Sequence, residues 1–196
     1  MKQFLTERRL NKISKVIRAR QHSLYVLLEN IHDPHNVSAI YRTCDAVGIP
    51  KVGLLYTSEE FPKISKVSSA SARKWVDTEK FATVDECYSA LRTEGFKVYA
   101  TMLDETAKSV YEIDLTGKIV ILMGNEHRGV SEEAAEKADE KIYIPMRGMI
   151  QSLNVSVAAA VTLFEAQRQR SEKGMYNKSE LTEEKIENII DQWADK

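Results

Sequence analysis

A chain of 196 residues, 43% hydrophobic and 29% charged, is long enough to bury one sizeable core and lacks the composition of a disordered or fibrous protein. Its net charge is −1 and its longest largely apolar stretch, residues 157–164 with only Thr162 polar, is far shorter than the roughly 20 residues a membrane-spanning helix needs. Two widely spaced cysteines, Cys44 and Cys87, with no CxxC pattern, argue against a disulfide framework or a zinc site and for a reducing, cytoplasmic setting.

The near-neutral total hides an asymmetry. Residues 1–21 hold Lys2, Arg8, Arg9, Lys12, Lys15, Arg18 and Arg20 against Glu7, whereas residues 180–196 set six carboxylates against two lysines. Glu7, Arg8 and Arg9 stand where a signal peptide would need an apolar core. Leu10, Ile13 and Ile17 recur at helical spacing, so residues 5–20 read as a basic amphipathic helix, a footprint that attracts polyanions. Residues 23–29 read as a buried strand, and the turn-forming His32-Asp-Pro-His35 follows. A helix over 36–47 carries Val37, Ile40, Cys44 and Val47 on one stripe and stops at Gly48.

The alternation then repeats. Strands are expected at 51–56, 96–103, 118–123 and 141–145, and helices at 64–74, 84–94, 131–138 and 152–170. Strands separated by helices specify an α/β fold, a mostly parallel sheet with helices on both faces. Residues 174–177 read as a helix stop and linker. Thr182 then caps a last helix with Glu183 and Glu184 in its first turn, and this acidic tail is expected to lie on a partner subunit or to remain mobile.

Three polar clusters interrupt these apolar elements: Asn36 to Arg42, Gly124-Asn-Glu-His-Arg-Gly129, and Ser152-Leu-Asn-Val-Ser156. Burying such groups unpaired costs roughly 1–3 kcal/mol each, so they must find partners. In parallel sheets ligands bind beyond the carboxyl ends of the strands, and each cluster follows a strand. One composite site is the expectation. Singly, each has a plainer reading: Asn36, Ser152 and Asn154 as helix caps, Arg42 as a surface cation. The loop at 124–129 matches neither the dinucleotide fingerprint nor a P-loop, which disfavours a nucleotide-dependent oxidoreductase. His32, His35 and His127 lack metal-ligand spacing, so no metal is expected.

Taken in order, Asn36-x5-Arg42, residues 121–129, and Ile144-Pro-Met followed by Ser152-Leu-Asn-Val-Ser156 resemble the three motifs of the SPOUT-superfamily RNA ribose 2′-O-methyltransferases of the TrmH type. The resemblance spans about residues 23–170. It implies an S-adenosylmethionine enzyme with a trefoil knot in its carboxyl-terminal half and a homodimer paired through that region. The two extensions resemble the branch that methylates the D-loop guanosine of tRNA, at tRNA position 18. On this reading residues 1–22 are a basic extension, 23–172 the catalytic domain and 173–196 an acidic extension. The alternatives are action on ribosomal RNA or another tRNA site, or a catalytically silent RNA-binding protein on the same fold.

The resemblance also implies roles. Arg42 is the catalytic candidate, and because a guanidinium stays protonated at neutral pH, it would stabilise a developing ribose alkoxide rather than act as a simple base. A nearby phosphate could instead make it a base, an alternative that the sequence leaves open. Asn36 would hold Arg42 or the ribose, Glu126 would anchor the cluster, and Ser152 and Asn154 would cap a helix beside the methionine end of the cofactor or the nucleotide. Thr101, Met102, Met123, Gly124, Ile144, Met146 and Leu153 would form the adenosine pocket. Arg8, Arg9, Lys12, Arg18, Arg20, His35, Arg168 and Arg170 would meet RNA, most of them at phosphates.

Overall fold

The computed structural model describes residues 6–61 and 72–196. Among these, seven strands form one sheet: β1 (Leu24–Glu29), β2 (Lys51–Leu55), β3 (Asp77–Phe81), β4 (Lys97–Thr101), β5 (Lys108–Ser109), β6 (Ile119–Met123) and β7 (Glu140–Tyr143). Their order is β3-β2-β1-β6-β4-β7-β5, and every pairing is parallel. The helices are α1 (Glu7–Arg18), α2 (Pro34–Val47), α3 (Val84–Thr93), α4 (Glu132–Glu136), α5 (Val155–Glu172) and α6 (Glu183–Ala194).

The two central strands, β1 and β6, are paired with Val26 opposite Ile121 and are apolar on both faces because both faces are covered. Leu24, Val26 and Leu28 with Ile119, Ile121 and Met123 face a core completed by Val37, Ile40, Tyr41 and Cys44 of α2 and Ala159, Leu163 and Ala166 of α5. Tyr25 and Leu27 with Val120 and Leu122 face the opposite core, closed by Cys87, Tyr88 and Leu91 of α3 and Ala134 of α4. Burying a large aliphatic side chain contributes about 1.5–3 kcal/mol, so these two layers hold the sheet. Cys44 and Cys87 are buried free thiols, and burial pushes the Cys87 thiol up to about 12.

The structure differs from the sequence reading at several places. β3 and β5 went unrecognised: β3 is an edge strand with mostly exposed polar residues, and β5 has two residues. Most of the helix expected at 64–74 lies outside the described residues, and its last part, Ala72–Lys74, is a 3-10 turn. α5 begins at Val155 rather than 152, because the Asn154 side chain accepts the Ser156 N–H at 2.9 Å and so caps the helix there.

The acidic tail lies on its own chain. Ile186, Ile190 and Trp193 of α6 pack against Ile13 and Ile17 of α1, and the Arg18 guanidinium donates to both carboxylate oxygens of Glu183 at 2.7 Å. The expected choice between a partner subunit and a mobile tail is therefore replaced by an intramolecular helix pair. Its apolar seam provides most of the binding, since solvent screens so exposed an ion pair.

Candidate functional site

The site begins where β1 ends. Asn30 adopts a left-handed conformation, φ 49°, which Asn tolerates better than most residues. Its Oδ1 accepts the backbone N–H groups of Thr57, Ser58 and Glu59 at 3.0, 3.1 and 3.2 Å, and its carbonyl accepts Asn125 Nδ2 at 2.6 Å. The loops after β1, β2 and β6 are thereby tied together. Asn30 was not singled out from the sequence, since no local pattern marks its partners, and Asn125 was read only as part of the 124–129 cluster.

Asp33, not Asn36, caps α2: its carboxylate accepts the His35 N–H at 2.8 Å, and Pro34 occupies the first helical position, where a missing N–H costs nothing. Asn36 is therefore the third residue of the helix rather than its cap, with its side chain free to bond elsewhere. It is buried, donates Nδ2 to Glu126 Oε1 at 2.8 Å, and through Oδ1 accepts Asn154 Nδ2 at 3.1 Å. A continuous chain of hydrogen bonds thus runs from the cap of α5 through α2 to the loop after β6, joining the three clusters.

Glu126 also accepts the backbone N–H groups of His32 at 2.8 Å and Asp33 at 3.1 Å. Partial burial pushes its carboxyl upward, but the Asn36 amide and these backbone donors outweigh that, and its pKa lies below the ordinary value. A carboxylate so engaged is an anchor and a poor proton acceptor. Gly124 permits the loop that carries it: a Cβ there would sit 2.1 Å from the Val130 nitrogen and 2.2 Å from the Gly129 carbonyl carbon. The loop closes on paired backbone bonds between Asn125 and Gly129, 2.8 and 2.9 Å.

Beyond the ends of β4, β6 and β7 lies a cavity of about 590 Å³, a size ordinary for a nucleotide-sized ligand. Thr101, Met102, Met123, Gly124, Ile144, Met146 and Leu153 all line it, as do Glu126 and Ser152. Met and Ile side chains suit the faces of a flat apolar heterocycle, and strand-end backbone groups suit its edge. Thr101 is otherwise occupied, its hydroxyl donating to the Leu122 carbonyl at 2.8 Å. Val110, Tyr143 and Ala158 line the cavity too and were not foreseen. Among the described residues no group of three His, Cys, Asp or Glu side chains could hold a metal ion, and no helix is long and apolar enough to cross a membrane.

Arg42 is exposed, does not line the cavity and makes no polar contact with the described residues. It stands on α2 about 9 Å along the axis from Asn36. Arg8, Arg9 and Lys12 are exposed on α1, and His35 is exposed at the start of α2.

Two of the expected phosphate-binding residues are displaced by the structure. Arg20 is buried, donating to the Ile49 carbonyl at 2.8 Å and to Asp45 at 2.5 Å. Arg170 is fully buried, donating to the carbonyls of Leu115 at 3.0 Å and Gly117 at 2.6 Å and to the Ser23 hydroxyl at 2.8 Å. Both brace the fold and have no donor to offer RNA. Arg18 and Arg168 are engaged with carboxylates, Glu183 for the first and Glu165 and Glu172 for the second.

Residues 23–164 match the model of the SpoU rRNA Methylase family. The tRNA (guanosine(18)-2′-O)-methyltransferase of Thermus thermophilus is 47% identical over 97% of this chain and 98% of its own length. The crystal structure of the Aquifex aeolicus TrmH/SpoU tRNA modifying enzyme is 43% identical and superposes with a TM-score of 0.89, covering 96% of this chain and 95% of that one. The SpoU methyltransferase AviRb from Streptomyces viridochromogenes, solved in complex with AdoMet, is 26% identical with a TM-score of 0.69 over 79% of this chain and 60% of that one.

Proposed function

The chain belongs to the SpoU rRNA methylase family, and from that premise we propose that it is a tRNA ribose 2′-O-methyltransferase that transfers a methyl group from S-adenosylmethionine to guanosine 18 of the D-loop. The likeness to tRNA guanosine-18 enzymes extends over nearly the whole of both chains, terminal extensions included, which favours this substrate over ribosomal RNA. The observation that carries the reading is the hydrogen-bonded chain Asn154–Asn36–Glu126, whose Glu126 end lines a cavity suited to adenosine.

S-adenosylmethionine supplies an electrophilic methyl group. The protein must hold the ribose oxygen in line with it and stabilise the charge that develops there, and positioning of this kind can contribute several kcal/mol. Asn36, fixed from both sides, orients the ribose. Arg42, unencumbered by carboxylates, stabilises the alkoxide while the proton leaves to water or a phosphate oxygen. Ser152 and Asn154 border the methionine end or the nucleotide, and Leu153 the adenosine. Arg8, Arg9 and Lys12 meet the phosphate backbone, and His35 meets RNA beside the ribose.

The proposal divides the chain into a catalytic domain, 23–172, and two extensions, 1–22 and 173–196, that clasp each other. It includes a trefoil knot in the carboxyl-terminal half, a cytoplasmic location and a homodimer. The exposure of Met149, Ile150 and Phe164 near the cavity supports the last of these.

Incubation with unmodified tRNA and labelled cofactor, followed by mapping of the modified nucleotide, tests the function. The expected product carries a single 2′-O-methyl group at guanosine 18. Tight tRNA binding without transfer would favour a silent binder, and methylation confined to ribosomal RNA would move the chain to another branch.

A further inference from the structure

Arg128 is a cation that the mechanism leaves unused. It lines the cavity beside Glu126 and Ser152, and its side chain is 60% exposed while that of its partner Glu59 is 29% exposed. Nη2 donates to Glu59 Oε1 at 2.7 Å, with Ser58 Oγ at 3.4 Å. The second Glu59 oxygen lies 3.4 Å from His32 Nδ1. Both ends of this pair are fixed through their backbones: the Glu59 N–H donates to Asn30 Oδ1 at 3.2 Å and the Arg128 N–H to Asn125 Oδ1 at 3.1 Å. The loops that carry the two charges are thus held in register by the same Asn30–Asn125 bond that builds the site.

Taking the RNA methyl-transfer reading as its premise, we propose that Arg128 is a phosphate contact for the substrate strand, held by Glu59 in the free protein and handed to an RNA phosphodiester when the target ribose enters. A ribose is flanked by phosphates on both sides, so a strand threaded to the cavity mouth brings one past the rim. A guanidinium offers a planar fork of donors suited to a phosphate. Solvent screens the Arg128–Glu59 pair, so it contributes little by itself and is readily exchanged for another anion. Glu59 keeps the guanidinium oriented until then. The exchange moves one side chain and leaves the anchored backbones where they are.

Binding of unmodified tRNA to the wild type and to R128A, R128K, E59Q and R128A/E59Q, measured over a series of salt concentrations beside S-adenosylmethionine binding, tests this. R128A should weaken tRNA binding about tenfold and lower the salt slope by about one, as loss of a single phosphate contact does, while R128K keeps the slope. E59Q should tighten binding about threefold by removing the competing carboxylate, a gain that vanishes in the double variant. Cofactor affinity should stay at the wild-type value in all four. An R128A protein with wild-type affinity and slope overturns the proposal. So does an E59Q gain that persists without Arg128, or a loss of cofactor binding with the tRNA slope intact, which would assign Arg128 to the methionine carboxylate. Wild-type protein that binds no tRNA would reject the functional reading itself, a result distinct from any of these.

Discussion

Arg42 and Glu126 carry opposite charges and opposite degrees of freedom. Arg42 has no polar partner among the described residues, as a group that meets its ligand only during reaction should, whereas Glu126 has three. Arg42→Ala should therefore reduce methyl transfer by about a hundred- to a thousandfold, the scale of losing a positioned transition-state donor, with cofactor affinity nearly unchanged by calorimetry. Turnover near the wild-type rate would remove Arg42 from the mechanism. The Glu126 carboxyl has its pKa depressed by folding, so the unfolded chain binds its proton more tightly. The stability it contributes is then full above the ordinary carboxylate range and is lost as pH falls through the depressed folded value. Glu126→Gln should accordingly flatten the acid limb of the pH–stability profile in thermal melts; an unchanged limb would show that other carboxylates set it.

The secondary elements were legible in proportion to how much of their pattern is local. β1 and β6 are apolar runs between breakers, and α2 ends at Gly48, whose φ of 86° suits a residue without a side chain. β3 and β5 were illegible because an exposed edge strand needs little apolar sequence. The three site clusters were visible as polar interruptions, but their mutual bonds, formed between residues 90 and 118 positions apart, were not. Nor could local pattern separate the arginines. Arg18 and Arg20 are two residues apart, yet one lies on the surface against Glu183 and the other inside against Asp45. The distinction is open to measurement. Neutralising Arg8, Arg9 and Lys12 together should flatten the salt dependence of tRNA binding by up to about three in slope with little change in melting temperature. Arg170→Ala, which strips three backbone carbonyls of a buried donor, should instead cost about 3 kcal/mol or more of stability in denaturant titrations. If both sets of variants alter binding alone, the burial argument for Arg170 fails.

At the scale of the molecule, the largest apolar exposures gather in the carboxyl-terminal half: Leu103 after β4, Tyr111 after β5, Met149 and Ile150 before α5, and Val157 and Phe164 on it. Val157 and Phe164 are seven residues apart and share one stripe of the helix, with Ala159 and Leu163 buried against the sheet on the other side. The proposed homodimer would cover this stripe, and a second copy meeting it about a two-fold axis would place the same residues on both sides. Residues 146–153 run from the cavity wall into this surface, so assembly and cofactor binding should be coupled. Phe164→Asp would set two buried like charges near one another across the axis. It is expected to sediment as a monomer at micromolar concentration, and to bind S-adenosylmethionine at least about tenfold more weakly because the segment that closes the cavity loses its support. A wild-type protein that is already monomeric, or a monomeric variant with intact cofactor affinity, would separate the cavity from the interface and leave the exposed stripe to another partner.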